Sequence, residues 1–182
     1  MPTGKEWQEL YSDCRPTMSV NLSARQLQQP NLLEEISEVL GATELEPCGL
    51  VLEITESVIM EDAEANIATL EGLKGLGVKL AIDDFGTGYS SLAYLKRFPV
   101  DVIKIDRSFV HGFGLSPKEA AIVQAVIDLA EALGLEPIAE GIESAEQARQ
   151  LLEMGCYVGQ GYHFARPLPS TEATNLLLPS HR

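Results

Sequence analysis

No apolar run in the chain approaches the ~20 residues that a membrane-spanning helix needs, and no signal-peptide pattern opens it. Cysteine is scarce: Cys14, Cys48 and Cys156 are scattered without paired spacing. That argues against a disulfide framework or a zinc–thiolate site and suits a reducing, cytoplasmic setting. All three read as small buried hydrophobes. Basic residues are also few, 13 Lys and Arg against 27 Asp and Glu, for a net charge of −14. A field of that sign repels nucleic acid, so binding to duplex nucleic acid is excluded as a function. His111, His163 and His181 have no i, i+4 partner and form no HD dipeptide, which leaves a histidine-based phosphohydrolase or an H-E-x-x-H zinc hydrolase unsupported. No G-x-G-x-x-G follows the first strand, so a dinucleotide-binding Rossmann unit has little support. Asp84-Phe85-Gly86 matches a kinase D-F-G only by accident, since the H-R-D loop and the V-A-I-K strand are missing.

What is present is one pattern repeated: a short apolar stretch, polar residues, then a segment of helical period. Strands are predicted at 17–22, 49–55, 78–83, 101–105, 136–139 and 156–159. Between them, Leu32, Leu33, Ile36 and Leu40 give a helix stopped by Gly41, and Ile67, Leu70, Leu73 and Leu76 give another stopped by Gly77. A glycine-rich loop at 84–91 and a short helix before Pro99 follow the third strand. Ser116 and Pro117 open a long helix ending at Gly134, Ser144 with Gln147 makes a capping box, and a last helix lies near 170–178. Residues 1–16 read as the tail of a helix around Trp7 and Leu10, then a loop.

Six strands alternating with helices indicate an α/β fold with a parallel sheet, open or closed. The polar residues decide between the two. They recur at the carboxyl end of every strand: Asn21, Glu53 with Glu56, Asp83 with Asp84, Lys104 with Asp106, Glu140 with Glu143, and Gln160. An open sheet concentrates its site at one switch point, whereas a ring brings all strand ends to one mouth. The expectation is therefore a TIM-like (β/α) barrel. A complete one needs eight strands and ~250 residues, so about six of eight are present here. The chain is read as a single domain, 1–182, that starts inside a barrel.

Glu53, Asp83, Asp84 and Glu140, with Asn21, are oxygen donors suited to Mg2+ or Mn2+. Two such ions a few ångströms apart would clamp the attacking and leaving oxygens of a phosphodiester displacement. Lys104, aimed at the same mouth, would orient a water or stabilise developing phosphate charge. A single acidic residue at a strand end is ordinarily a helix cap or a solvated loop residue; recurrence over six strands is what capping does not produce. Glu56 and Glu143, three residues after stronger candidates, rank as supporting residues. Asp106 and Arg107 are expected to form a local ion pair.

SVNLSARQL at 19–27, LEITES at 52–57, AIDDFGTGYSSLAYLKRFPVDVIKIDRSF at 81–109, IAEGIES at 138–144 and GQGYHFARPLP at 159–169 together resemble the EAL family of cyclic di-GMP phosphodiesterases. The resemblance implies a modified TIM barrel with one antiparallel strand, hydrolysing cyclic di-GMP to linear pGpG by two-metal water attack. It implies Asn21, Glu53 and Asp83 on one metal and Asp83, Asp84 and Glu140 on the other. Lys104 is similar to the lysine that contacts the hydrolytic water, and Gln160 to a glutamine near it. Residues 84–91 resemble the loop that couples dimerisation to metal binding, with Glu56 as its anchor. One departure stands out. The E-A-L tripeptide, with its metal-binding glutamate and nearby arginine, is missing ahead of Asn21, where the family carries it. Glu131-Ala132-Leu133 spells the letters inside a predicted helix and is read as coincidence.

Two other readings stand beside the enzyme. One is an inactive module that binds cyclic di-GMP or a protein partner. The other is a scaffold whose unpaired strand edges favour a homodimer or larger oligomer.

Overall fold

A computed structural model describes residues 4–10, 16–88, 92–112 and 117–177. Helix α1 (Gly4–Leu10) precedes strand β1 (Met18–Asn21), the short α2 (Ala24–Leu27) and α3 (Leu32–Thr43). Strand β2 (Leu50–Thr55) is followed by α4 (Glu56–Glu61) and α5 (Ala63–Gly75), and β3 (Lys79–Phe85) by α6 (Leu92–Leu95). Then come β4 (Val102–Ile105), α7 (Arg107–His111), α8 (Pro117–Leu133), β5 (Glu136–Ala139), α9 (Ala145–Glu153), β6 (Val158–Gly159) and α10 (Ser170–Leu177).

The six strands pair in chain order, each parallel to its neighbour. Parallel neighbours need a crossover, and the intervening helices supply it on the outer face. Alternation along each strand separates two apolar layers. Outward residues such as Leu52, Ile54, Leu80, Ile82, Ile103 and Ile105 merge with helix residues Leu70, Leu73, Val123 and Ile127 in the main core. Inward residues Val51, Ala81 and Val102, with Ile138 against them, form a separate small cluster on the concave face. The result is a half-barrel whose strand ends all open on one side, and the TIM-like fold is established with six of its strands.

Several local expectations shift. Helix α3 runs through Gly41, where an added Cβ would meet nothing within 4 Å, and ends at Glu44 in the left-handed conformation (φ 51°). Gly77 (φ 88°) and Gly134 (φ 71°) do terminate their helices, because only a residue without Cβ turns there without strain. The last strand shortens to Val158–Gly159 because the Cys156 N–H donates to the Leu151 carbonyl at 2.9 Å, spending that residue on the exit from α9. Helices α4 and α7 were not predicted; each is a single turn or little more, too short to show a period. The capping box of Ser144 and Gln147 forms as expected. Glu131, Ala132 and Leu133 lie in α8. Cys156 is buried but Cys48 is exposed, against the expectation for it; Cys14 and Ser116 lie outside the described residues. Among the described residues no helix is long and apolar enough to cross a membrane.

Helices α1 and α10 come together. Trp7 Nε1 donates to Thr174 Oγ1 at 3.0 Å, joining α1 to α10.

Leu73 has no exposed surface and lies between α5 and the sheet. Leu73→Ala is expected to cost about 2–5 kcal/mol in urea unfolding, the range for a buried leucine that leaves a cavity. Leu152→Ala, at an exposed position, is expected to stay within about 0.5 kcal/mol of the parent.

Candidate metal-binding site

The centre of the strand-end mouth is Lys104. It projects from β4 onto the concave face and is 4% exposed. Its ammonium lies 2.7 Å from Glu53 Oε2, 2.9 Å from Asp83 Oδ1 and 2.6 Å from Glu140 Oε1. These carboxylates lie on β2, on β3 and just after β5, so one cation ties together residues across four of the six strands. Burial opposes charge on Lys104, but the hydrogen bonds it donates to Glu140, Glu53 and Asp83 outweigh it and hold the ammonium above the usual lysine range. Burial pushes the Glu140 carboxyl up; the Lys104 contact lowers it by less, and Asp83 and Glu53 add repulsion.

Asp84 reaches the same place by a break in the strand. Neighbouring residues of a regular strand point to opposite faces. Here the β3–β4 register shifts between Ile82 and Phe85, and Asp84 takes a left-handed backbone (φ 53°). Carboxylate oxygens of Asp83, Asp84 and Glu140 consequently lie within 4.8 Å of one another. Burial raises the Asp84 carboxyl, and the charges of Asp83 and Asp106 push the same way. Asp106 is held below the usual carboxylate range; burial works against this, and hydrogen bonds from the Ser108 hydroxyl and backbone N–H overcome it. Its structural part is therefore to cap α7, with Arg107 contributing its backbone N–H and its charge rather than the expected ion pair.

Glu56 is fully buried at the start of α4, and its Oε2 accepts from the Gly86 N–H at 2.7 Å and the Gly88 N–H at 3.4 Å. It thereby fixes the near end of the 84–91 loop; residues 89–91 lie outside the described residues. Gln160 Nε2 donates to Glu140 Oε1 at 2.5 Å. Asn21 stands opposite Glu53 in the β1–β2 register, at the exposed end of the edge strand. Glu143 is set apart from the cluster: its side chain is exposed, 3.9 Å from His111 Nδ1, and its N–H donates to Gln147 at the start of α9.

Three clustered carboxylates with oxygen donors only match the preference of hard divalent cations, and the triad of Asp83, Asp84 and Glu140 fits one. Ser108, which orients Asp106, carried no signal in the sequence, because a serine after a strand is ordinary.

The EAL domain family model matches residues 4–167. The cyclic di-GMP phosphodiesterase NbdA of Pseudomonas aeruginosa is 45% identical over 155 residues, which are 85% of this chain and 20% of that protein. A solved phosphodiesterase, PaMucR in complex with c-di-GMP, superposes with a TM-score of 0.86 at 41% identity, over 92% of this chain and 69% of that one. The manganese and cyclic di-GMP complex of Klebsiella pneumoniae BlrP1 superposes with a TM-score of 0.79 at 33% identity, over 88% and 41%. The chain spans between a fifth and a quarter of the length of the first curated relatives it matches.

Lys104→Met would leave Glu53, Asp83 and Glu140 buried without their cation, at an expected cost of about 3–5 kcal/mol near neutral pH. A carboxyl whose folded pKa is raised destabilises the fold as pH rises through that pKa, and the penalty is relieved on acidification. Denaturant melts should therefore show the variant's deficit shrinking from pH 7.5 to pH 5. A constant deficit would mean that mutual carboxylate repulsion is not its cause.

Proposed function

The chain belongs to the EAL domain family, and on that premise we propose that it forms the metal-dependent, cyclic di-GMP-hydrolysing face of a phosphodiesterase. The observation that carries this is the gathering of Asp83, Asp84 and Glu140 within 4.8 Å beside a buried lysine. In this reading Asp83, Asp84 and Glu140 hold one Mg2+ or Mn2+ and Asn21, Glu53 and Asp83 hold a second. Bound there, the cations neutralise the phosphate and its leaving oxygen. The protein's own groups do the rest. Lys104 keeps the carboxylates converged against their repulsion, and its fixed positive charge stabilises the negative charge that develops on the phosphate oxygens. Glu140, positioned by Gln160, accepts the water's proton as the new P–O bond forms and the P–O3′ bond breaks; O3′ takes a proton from solvent, and the ring opens to linear pGpG. Glu56 holds the loop that carries Asp84's neighbours, and Asp106 backs Asp84. Glu143 supports the wall beside Glu140.

The proposal includes reading residues 1–182 as an EAL-type domain lacking its first strand–helix portion, with a homodimer or oligomer as its assembled form. A cytoplasmic site of action fits the chemistry of the ligand. The second reading is a module that binds cyclic di-GMP without cutting it.

Incubation with cyclic di-GMP and Mn2+ decides between them. Formation of pGpG, lost on chelation and reduced at least ~100-fold in Asp83→Asn, supports the enzyme. Saturable binding without product would assign the module instead. Because the carboxyls of Asp84 and Glu140 are raised, protons compete with the cation at higher pH than for ordinary carboxylates. Mn2+ affinity measured by calorimetry should therefore begin to fall on acidification before pH reaches the usual carboxylate range.

A further inference from the structure

Asp83 and Asp84 lie at the end of β3 and Glu140 follows β5, so the carboxylate triad reaches across β4, which lies between those strands. The chain leaving β4 turns at once into α7, and the first turn of that helix touches both loops that bring the triad together. Each contact is made at a glycine. A Cβ on Gly141 would lie 2.5 Å from Arg107 Cβ and 3.3 Å from its Cα. A Cβ on Gly86 would lie 2.8 Å from Phe109 Cε2 and 3.1 Å from Cζ. The backbones of the two loops therefore rest directly on α7, and its bulk sets their separation. The helix is itself held in place. Asp106 caps its start, Val110 has no exposed surface, and Gln147 Nε2 donates to the Val110 carbonyl at 3.0 Å.

Gly86 is where this support reaches the triad. Its N–H donates to Glu56 at 2.7 Å, and the Phe109 ring closes on it from the side of α7. Two residues upstream, Asp84 has φ 53°, a backbone that persists only where its neighbours hold it. The two contacts on Gly86 differ in kind. The hydrogen bond ties the loop to α4, whereas the ring fills the volume into which the loop would otherwise relax.

We propose that Phe109 is a positioning residue for the cation site, setting through Gly86 the approach of Asp84 to Glu140. This rests on the metal-dependent reading of the mouth and adds to it a side chain that touches neither cation nor phosphate. Ligand oxygens tolerate displacements of only about 0.2 Å, so a partly filled space behind Gly86 is enough to weaken an ion.

Calorimetric titration with Mn2+ compares the parent with Phe109→Ala, Phe109→Leu and Leu73→Ala. Phe109→Ala should bind Mn2+ about 10-fold or more weakly, as when an outer partner of a metal site is lost. Phe109→Leu, which refills part of the space, should fall between it and the parent. Leu73→Ala removes a fully buried side chain of α5 and should leave the affinity within twofold of the parent. An unchanged affinity in Phe109→Ala, or an equal loss in Leu73→Ala, would overturn the proposal. Should Phe109→Ala not fold, Phe109→Leu decides with the same signs. Amide exchange in the metal-free protein is read alongside: Gly86 and Gly88 should exchange at least tenfold faster in the Phe109 variant than in the parent, and no faster in Leu73→Ala. If the parent takes up no Mn2+, the metal-dependent reading fails on its own. The hold of Phe109 on the loop is then judged by exchange alone, faster rates supporting it and unchanged rates refuting it.

Discussion

The ammonium of Lys104 is the contact on which the mouth of this half-barrel depends. Three carboxylates from three different strands converge on it, each within 3 Å. Without a cation, Coulomb repulsion at this separation and burial would drive them apart or protonate them. With one lysine among three carboxylates, two negative charges remain uncompensated even before Asp84 is counted. That residual charge is what a divalent cation would neutralise. The arrangement holds donors in place for an ion and leaves the ion something to do. Its cost is local: burial first, and neighbouring carboxylates after it, raise the carboxyls of Glu140 and Asp84.

A second constraint is geometric. Adjacent aspartates on a regular strand cannot serve one site, since alternation sends one of them to the helix layer. The irregularity between Ile82 and Phe85, with Asp84 at φ 53°, removes that obstacle. Left-handed backbone at a non-glycine residue costs energy and persists only where its surroundings hold it. Here the surroundings include Glu56, buried beneath the loop and accepting from Gly86 and Gly88 just beyond the irregularity. Loop, anchor and carboxylate cluster are thus one mechanical unit: displacing Gly86 would release the backbone that turns Asp84 inward.

The legible part of the site was its composition and its side of the barrel. Polar residues at six successive strand ends predict a shared mouth, because parallel strands with outer helices bring their carboxyl ends together. Asn21, Glu53, Asp83, Lys104 and Glu140 could be placed there from strand boundaries alone. What the sequence concealed depends on contacts between distant segments. Glu53 and Lys104 lie 51 residues apart, and nothing local marks them as partners. Asp106 next to Arg107 reads as an ion pair, yet Ser108 captures the carboxylate because an exposed N–H at a helix start competes better than a solvated guanidinium. Gly41 reads as a helix stop, but an isolated glycine with open space around it is tolerated in a helix, and the turn falls at Glu44 instead.

The distribution of charge bears on how an acidic protein would retain an anionic ligand. At a net charge of −14 the long-range field is repulsive, and salt screening beyond about 10 Å makes the local pattern decisive. That pattern is asymmetric: carboxylates gather over β2, β3 and β5, while Arg107 and Arg166 stand at one flank beside the Tyr162 ring. The carboxylate side attracts a phosphate only after cations have inverted its sign. The arginine side needs no such step. On the proposed function, it is occupancy of the carboxylate triad by cations that would convert this repulsive centre into an attractive one.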